Sequence, residues 1–450
     1  MKFFIYGALS VVLIIGIGYI AWSLHPSEKN LQEVAMPYKT PQSNSQEKEE
    51  LKVAVPIDAP LQQKVDLDTN PSKDTKKEPT EEIKEVTIEE KKLSEDVAQP
   101  TVPKNQTQEK KPKPKEMTPL KLMPPAGSFI YYGAFPDFGG PEDIVSVKRV
   151  KDYTNLTKKK IAWAYFSNNW IDGIVYPAAD VAAIRAAGTV PFVRMMPRSF
   201  IEQYQEEPIY SMQNIIDGKF DTQLRLWAQQ AKVDPRPLLV DFAVEPNGDW
   251  FSWSGIFNGA GKRDGYGDPT YYDGPERYRD AYRHIIDLFK EEGVNNITWF
   301  FHADIYSNPE VEWNKAKYYY PGDDYIDWIG VSLYGPQNTG ENYWDTFSEI
   351  LAERANTIRE ISSTKPIALL EFGVTDDHPL GDKAQWIEDA FETILQGKYL
   401  PFDAISYWHE SWEDDPYQAN IRVDSSEESL KMFRKMVANP QLQTILQFSR

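Results

Sequence analysis

The chain divides into three parts by its pattern of apolar and polar positions. Residues 3–23 are uncharged and mostly apolar, with Lys2 in front of them. A run of this length can cross a bilayer as a helix, whereas the apolar part of a cleaved signal peptide is shorter. Residues 1–24 are therefore predicted to be a signal-anchor transmembrane helix, with secretion after signal cleavage as the alternative. Because Lys2 favours the cytoplasmic side, the rest of the chain is expected on the extracytoplasmic side of the cell membrane.

Residues 25–125 are polar and charged almost throughout. They contain 17 lysines and 19 acidic residues but no glycine, no tryptophan and a single aromatic residue, Tyr38. Such a composition cannot bury enough apolar surface to offset the entropy lost when a chain becomes ordered. This part is predicted to be a disordered linker that holds the following residues away from the membrane.

From residue 126 onwards, short apolar runs alternate with stretches in which apolar residues recur at helical spacing. Eight runs are predicted to be strands, at 129–135, 160–166, 190–196, 238–245, 296–304, 327–335, 366–373 and 403–410. Strands that are apolar nearly throughout are buried on both faces, which favours a parallel sheet. These alternations predict an α/β fold, a (β/α)8 TIM barrel over residues 126–450. An open doubly wound sheet is the alternative, but no GxGxxG sequence follows a strand.

Composition narrows the partners expected of this barrel. The chain has a formal net charge of −19, of which residues 126–450 carry −18, together with 12 of the 13 tryptophans. Nucleic acids and anionic polymers are bound by Lys/Arg patches, so a neutral partner is expected. The absence of cysteine excludes disulfides, thiolate catalysis and zinc held by cysteine. The five histidines form no HxH or HExxH pair, so no catalytic metal or other cofactor is expected, and the oligomeric state stays open.

Two glutamates lie at the ends of predicted strands that face each other across the barrel. Glu245 ends the fourth strand and Glu371 lies near the end of the seventh. In such barrels the chemistry takes place at the carboxyl ends of the strands. Retaining glycoside hydrolysis needs a proton-donating acid and a nucleophilic carboxylate about 5–5.5 Å away. Trp250 and Trp253 follow Glu245 and are suited to bind the apolar faces of sugar rings, so this pattern predicts a glycosidase binding a neutral polysaccharide.

Three segments, VEPNGDWFSW, YYPGDDYIDWIGVSLYG and ALLEFG, together resemble glycoside hydrolase family 26 over roughly residues 126–420. That family belongs to a clan of (β/α)8 retaining enzymes with catalytic glutamates on strands 4 and 7. The resemblance implies that Glu245 is the acid/base and Glu371 the nucleophile. It further implies that Tyr334 donates a hydrogen bond to the nucleophile and that Trp408 forms the aromatic floor of the −1 subsite. The implied reaction is cleavage of a β-1,4-linked polysaccharide, with an endo-β-mannanase as the first expectation and a β-1,3-1,4-glucanase or xylanase as alternatives.

The sequence departs from the family pattern just before the acid/base, where many members carry His or Asn and this chain has Val244. Four polar residues at the ends of strands 3 and 5 are candidates for a substitute contact with the sugar: His302, Asp304, Arg194 and Arg198. Because Val244 puts the sugar contacts in doubt, a tethered carbohydrate-binding pseudoenzyme remains an alternative from another class. A scaffold domain without a glycan ligand is a third possibility.

Overall fold

The computed structural model describes residues 119–139, 142–414 and 416–449. The predicted anchor at residues 1–24 and most of the predicted linker lie outside these ranges. Among the described residues, no helix combines the length and the apolar character needed to cross a bilayer.

Eight parallel strands close into a barrel. In chain order they are β1 (Ile130–Phe135), β2 (Trp163–Asn169), β3 (Val190–Met196), β4 (Leu238–Phe242), β5 (Ile297–Asp304), β6 (Trp328–Tyr334), β7 (Ile367–Gly373) and β8 (Ala404–Trp408). Each strand pairs with the next one along the chain, and β8 pairs with β1 to complete the ring. The barrel predicted from the sequence is confirmed, and every predicted strand overlaps an observed one.

Helices connect most of the strands. They are α1 (Val147–Thr157), α2 (Ala178–Ala186), α3 (Met212–Ile216), α4 (Asp221–Val233), α5 (Asp273–Glu291), α6 (Phe347–Arg359), α7 (Lys383–Gln396) and α8 (Glu427–Val437). The connection from β5 to β6 has two 3-10 turns, Glu312–Asn314 and Ala316–Tyr318, where an α-helix would complete the regular alternation. One of the eight β/α units is therefore irregular.

Two further strand pairings lie at opposite ends of the barrel. An antiparallel hairpin of β9 (Ser411–Asp414) and β10 (Tyr417–Asn420) follows β8 at the carboxyl end of the strands. At the other end, the short β11 (Leu442–Gln443) pairs in parallel with the start of β1. The hairpin places its residues beside the end of the barrel at which the predicted chemistry lies.

The packed domain begins before residue 126, where the sequence analysis placed the boundary of the linker. Leu122 is buried, and it forms an antiparallel bridge with Phe448. Lys121 Nζ donates to Asp327 Oδ2 at 2.7 Å. These contacts attach the segment that precedes β1 to the barrel.

Aromatic side chains fill part of the barrel interior. Trp163, Phe192, Phe300 and Trp328, from four different strands, are all fully buried, and successive ring centroids lie 6.0, 4.6 and 5.6 Å apart. Gly133 on β1 faces this cluster. A Cβ atom at Gly133 would lie 2.2 Å from the Trp163 indole, so only glycine leaves room for the ring.

Gly133→Ala is expected to lower the free energy of unfolding by about 1–3 kcal/mol, because the added methyl group overlaps the Trp163 indole. Urea unfolding of the folded domain measures the change. In a Trp163→Phe background, where the smaller ring leaves space, the same substitution should cost less. An equal cost in both backgrounds would contradict this explanation of the glycine.

Candidate active site

The carboxyl ends of the strands surround a cavity of about 470 Å³. Six of the residues predicted for the site line this cavity: Arg194, Glu245, Trp250, Tyr334, Glu371 and Trp408. Asp304, a candidate for a substitute polar contact, also lines it. Burial raises the pKa of Asp304 well above its usual range, and the nearby carboxylate of Glu245 acts in the same direction.

Glu245 lies just beyond β4 in a strained turn. Its φ is +53°, and Ala243 two residues earlier has a φ of +51°. Residues other than glycine rarely adopt this left-handed conformation, which costs on the order of 1–2 kcal/mol per residue. The Glu245 N–H donates to the carbonyl of His302 at 2.8 Å, which ties the turn to β5. Tertiary contacts thus hold a costly backbone geometry that brings the carboxylate to the cavity wall.

Both oxygens of the Glu245 carboxylate accept hydrogen bonds. Trp250 Nε1 donates to Oε2 at 2.9 Å, and the Ser332 hydroxyl donates to Oε1. The residue is 7% exposed. Trp250 is half-buried and lines the cavity, so its indole both orients the carboxylate and is accessible beside it.

A β-bulge positions Glu371. The β6–β7 register shifts between Val331 and Ser332, because Val331 lies opposite Leu369 whereas Ser332 lies opposite Glu371. Leu370 is therefore the extra residue on β7. Bulges re-aim side chains and occur often beside active sites. Here the bulge sets which residue of β7 is level with the carboxyl end of β6.

The Glu371 carboxylate has one partner on each oxygen. The Tyr334 hydroxyl donates to Oε2 at 2.9 Å, as predicted from the resemblance, and Arg194 Nη2 lies 3.4 Å from Oε1. Burial raises the pKa of Glu371 well above its usual range, and Glu245 contributes in the same direction. Arg194 opposes this shift most strongly, followed by Tyr334 among the groups that lower the pKa. Arg194 is thus the main group that favours the ionised form of Glu371.

Arg194 on β3 is held between two carboxylates. Its Nη1 donates to Glu142 Oε2 at 3.0 Å while Nη2 faces Glu371. The guanidinium also lies over the Trp408 ring, 4.9 Å from its centroid. Burial alone would lower the pKa of Arg194, but Glu371 and Glu142 raise it well above its usual range. Arg194 was predicted to contact the sugar, and the structure instead pairs it with Glu371.

Trp408 ends β8 and forms part of the cavity floor. Its ring stacks on Phe135 with centroids 4.0 Å apart, and its Nε1 donates to Glu410 Oε2 at 2.9 Å. Burial raises the pKa of Glu410 to about 8, with the carboxylate of Glu142 acting in the same direction. The floor therefore carries a carboxyl group that is largely uncharged at neutral pH.

The two catalytic candidates lie close together. A carboxylate oxygen of Glu245, one of Glu371 and a ring nitrogen of His302 all lie within 4.8 Å of one another. Carboxyl groups about 5–5.5 Å apart are typical of retaining glycosidases, whereas inverting enzymes need about 6.5–9.5 Å to admit a water molecule. The separation fits direct attack by one carboxylate with proton donation by the other.

Two carboxylates and an imidazole are also possible metal ligands. Both ring nitrogens of His302 are already within hydrogen-bond distance of a hydroxyl, Tyr165 at 2.9 Å and Ser332 at 2.8 Å. A metal at this point would have to displace one of these contacts. The expectation that no metal or cofactor takes part stays a prediction.

The structure corrects two of the predicted sugar contacts. Trp253 is fully buried, stacks on Phe251 with ring centroids 4.4 Å apart, and donates its Nε1 hydrogen to the carbonyl of Val244 at 2.7 Å. His302 is likewise fully buried beneath the cavity. Neither ring can contact a bound sugar from these positions. The Val244 side chain is buried as well, so it supplies no contact in place of the polar residue common in the family.

Four polar residues at the site were not singled out from the sequence: Ser332, Glu142, Tyr165 and Asp241. Ser332 precedes Tyr334 by two positions and therefore shares its face of β6. Tyr165 and Asp241 are fully buried within β2 and β4. A carboxylate inside an otherwise apolar strand was the signal that could have drawn attention to Asp241, because buried charges need partners.

The barrel and its paired glutamates have the arrangement that retaining glycoside hydrolysis requires. The model of the family described as Glycosyl hydrolase family 26 matches residues 205–368, which include Glu245 and Tyr334. Over these residues the chain is similar to that family, in agreement with the resemblance drawn from the sequence.

Two curated proteins are similar to this chain in sequence. Endoglucanase H of Acetivibrio thermocellus is 26% identical over 298 residues, which are 65% of this chain and 29% of that protein. Beta-1,3-xylanase TXYA of a Vibrio species is 24% identical over 243 residues, which are 48% of this chain and 45% of that protein. The chain thus spans less than half the length of either relative.

Similar solved structures include a modular endo-β-1,4-mannanase from Cellulomonas fimi, at 19% identity and a TM-score of 0.48. The match covers 70% of this chain and 72% of that one. A GH26 β-mannanase from Bacteroides ovatus is 16% identical with a TM-score of 0.47, over 70% of this chain and 90% of that one.

Glu410 should make the stability of the domain depend on pH. Its pKa is about 8 in the folded protein against an ordinary value of 4.5, so the folded state keeps a proton that the unfolded state releases in this interval. The Glu410 contribution to stability therefore falls as pH rises from about 4.5 to about 8. Glu410→Gln should lose less unfolding free energy than the wild type between about pH 5 and about pH 9.

Urea unfolding at both pH values checks this expectation. Glu413→Gln on the hairpin that follows Glu410 is the matched control, because Glu413 is exposed. It should leave the wild-type pH dependence unchanged. If Glu410→Gln also matched the wild type at both pH values, the buried carboxyl would not be the cause.

Proposed function

We propose that this domain is a retaining glycoside hydrolase that cleaves a neutral β-linked polysaccharide, with β-1,4-mannan as the first substrate. The observation that carries the proposal is the approach of Glu245 and Glu371 oxygens to within 4.8 Å at the carboxyl end of the barrel. Trp250 and Trp408 line the same cavity and supply aromatic surface for sugar rings.

In the first step, ionised Glu371 attacks the anomeric carbon while protonated Glu245 gives its proton to the departing glycosidic oxygen. Glu371 Oε2 accepts a hydrogen bond from the Tyr334 hydroxyl, and Oε1 lies 3.4 Å from Arg194 Nη2. In the second step, Glu245 takes a proton from water, which attacks the same carbon and frees Glu371.

The charges of the cavity support a neutral substrate. Glu142 and Glu341 line it together with the catalytic pair, and Arg194 is bound between Glu142 and Glu371. An anionic polymer would be repelled from such a cavity. The resemblance to the family favours mannan, and the names of the two curated relatives add β-glucan and β-1,3-xylan as alternatives.

Attachment to the membrane is part of the same proposal. If residues 1–24 form the predicted anchor, the domain acts outside the cytoplasmic membrane on polysaccharide that reaches the cell surface. Fractionation of cells that express the full chain tests this, since a cleaved leader would leave the protein in the medium.

The proposed chemistry is tested on a panel of β-mannan, β-glucan, β-1,4-xylan and β-1,3-xylan. Reducing ends should appear on at least one of them, and NMR of the early product should show that the anomeric configuration is retained. Glu371→Ala should abolish turnover, and Glu245→Ala should lower it by about 10²–10⁴-fold on polysaccharide. Azide should restore part of the Glu245→Ala rate on a substrate with a good leaving group, because it replaces the activated water.

Glu413→Gln serves as the control in this experiment too and should keep wild-type activity. Glycan binding without release of reducing ends would identify a carbohydrate-binding protein instead of an enzyme. Wild-type activity in Glu371→Ala would refute the assignment of the nucleophile.

Arg194→Met should move the acidic limb of the kcat/KM profile to higher pH. Without the guanidinium, the effect of burial on the pKa of Glu371 is less opposed and the pKa rises further. Glu371 then ionises to the charged nucleophile only at higher pH. Arg194→Lys keeps the positive charge and should shift the limb less. Circular dichroism checks that both variants fold, and an unchanged limb in folded Arg194→Met would show that the charge of Arg194 does not control Glu371.

A further inference from the structure

A chain of buried side chains leads from the acid/base into the barrel. The Ser332 hydroxyl donates to Glu245 Oε1, and Ser332 Oγ lies 2.8 Å from His302 Nε2. The other ring nitrogen of His302 lies 2.9 Å from the Tyr165 hydroxyl, which donates to Asp241 Oδ2. We call Ser332, His302, Tyr165 and Asp241 the inner chain. They come from four strands and are fully buried.

The inner chain contains three hydrogen bonds and a fourth joins it to Glu245, and the directions of all four are fixed by counting protons. When Asp241 and Glu245 are both ionised, the Tyr165 and Ser332 hydroxyls donate to them. His302 must then donate from both ring nitrogens, which makes it a positively charged imidazolium. When Glu245 carries a proton on Oε1, it donates to Ser332, whose hydroxyl turns to donate to His302 Nε2. His302 then keeps only its Nδ1 proton and is neutral.

The surroundings of His302 favour the charged arrangement in the free protein. Asp241 Oδ2 lies 3.4 Å from Nδ1, and one oxygen each of Glu245 and Glu371 lies within 4.8 Å of a ring nitrogen. Arg194 is the nearby cation, 5.2 Å from the Tyr165 ring centroid, and it is already paired with Glu371. A fully buried carboxylate such as Asp241 is costly without an opposite charge, and an imidazolium supplies one.

We propose that His302 and Ser332 are positioning residues that couple the protonation of Glu245 to the charge of His302. One proton passes between His302 Nε2 and Glu245 Oε1 by way of the Ser332 hydroxyl. The Nε2–H and Oγ–H bonds break as a new Oγ–H bond and the Oε1–H bond form, so the number of protons is conserved. Rotation of the Glu245 carboxyl group about its Cγ–Cδ bond then presents the proton to the cavity. The inference rests on the proposed acid/base role of Glu245.

The coupling gives the acid/base a proton store that is shielded from solvent. In the free protein the pair is charged, with Glu245 ionised and His302 protonated. Once a bound sugar has displaced water from the cavity, the Glu245 carboxylate loses the solvation of its charge, which favours the neutral pair. Glu245 is then the acid that the first step needs, and its proton has come from His302.

Nitrogen-15 NMR of the histidine rings tests the coupling without measuring activity. The His302 signals are assigned by their loss in His302→Gln. In Glu245→Gln, the Trp250 Nε1 hydrogen needs an acceptor, so the amide oxygen takes the place of Oε2. The amide nitrogen then takes the place of Oε1 and donates to Ser332, as a protonated glutamate would. At about pH 7, His302 should carry two ring protons in the wild type and one in Glu245→Gln.

Ser332→Ala is the matched control, because it removes the bridging hydroxyl and keeps both end groups. In that background, His302 should no longer change its charge when Glu245 becomes glutamine. A His302 that is neutral in the wild type, or that responds equally with and without the Ser332 hydroxyl, would overturn the proposal. Because this readout needs no substrate, it remains decisive even if no polysaccharide on the panel is cleaved.

Kinetics provide the second test once a substrate is known. Ser332→Ala should lower kcat on polysaccharide by about 10²-fold with little change in KM, since proton donation to a poor leaving group is impaired. An aryl glycoside with a good leaving group needs no acid, so formation of its covalent intermediate should proceed at nearly the wild-type rate. Ser332→Thr retains a hydroxyl and should recover most of the loss. Equal losses on both substrates would indicate a purely structural role.

Discussion

The ion pair between Arg194 and Glu371 is the interaction on which the site depends. The barrel buries Glu371 among other carboxylates, and burial by itself favours the neutral form, which cannot attack an anomeric carbon. A guanidinium 3.4 Å away reverses part of that preference. The same guanidinium is fixed by Glu142 and lies over Trp408, so its position is set by three strands and a loop at once. The proposed nucleophile can be both buried and charged only because its counter-charge is equally buried and equally fixed.

The regular part of the barrel does not create this arrangement alone. The carboxyl ends of parallel strands bring residues of different strands to one rim. At that rim, each glutamate is aimed by a local departure from regular geometry. Glu245 follows β4 in a left-handed backbone conformation, and Glu371 follows the extra residue of a bulge in β7. The left-handed backbone costs stability, and both departures carry a catalytic candidate, which is the expected relation between local geometry and function.

Sequence patterns predicted the ring of strands because alternating apolar runs and turns are local properties. The third strand was placed at 190–196, the bounds observed for Val190–Met196, whereas the second was placed three residues early. The patterns also brought Glu245 and Glu371 to strand ends. They could not show which way a side chain turns after the strand stops. Trp253 was therefore predicted to contact the sugar, whereas the turn after Glu245 places its side chain in the core. Because side chains alternate along a strand, the position of Tyr334 predicts that Ser332 faces the same side of β6. A serine in a strand does not by itself indicate a function, so its contact with Glu245 could not be predicted.

The carboxyl groups of the cavity reconcile its acidic composition with a neutral ligand. Glu410 has a pKa of about 8, so at neutral pH it is largely an uncharged acid that both donates and accepts hydrogen bonds. Its Oε2 accepts from Trp408, which fixes the carboxyl group at the edge of the aromatic floor. Sugar hydroxyls also donate and accept, so such a group is a better partner for them than an ionised carboxylate with no proton to give. Val244 lacks a polar side chain beside the acid/base, and a neutral Glu410 on the opposite wall can supply the polar contact.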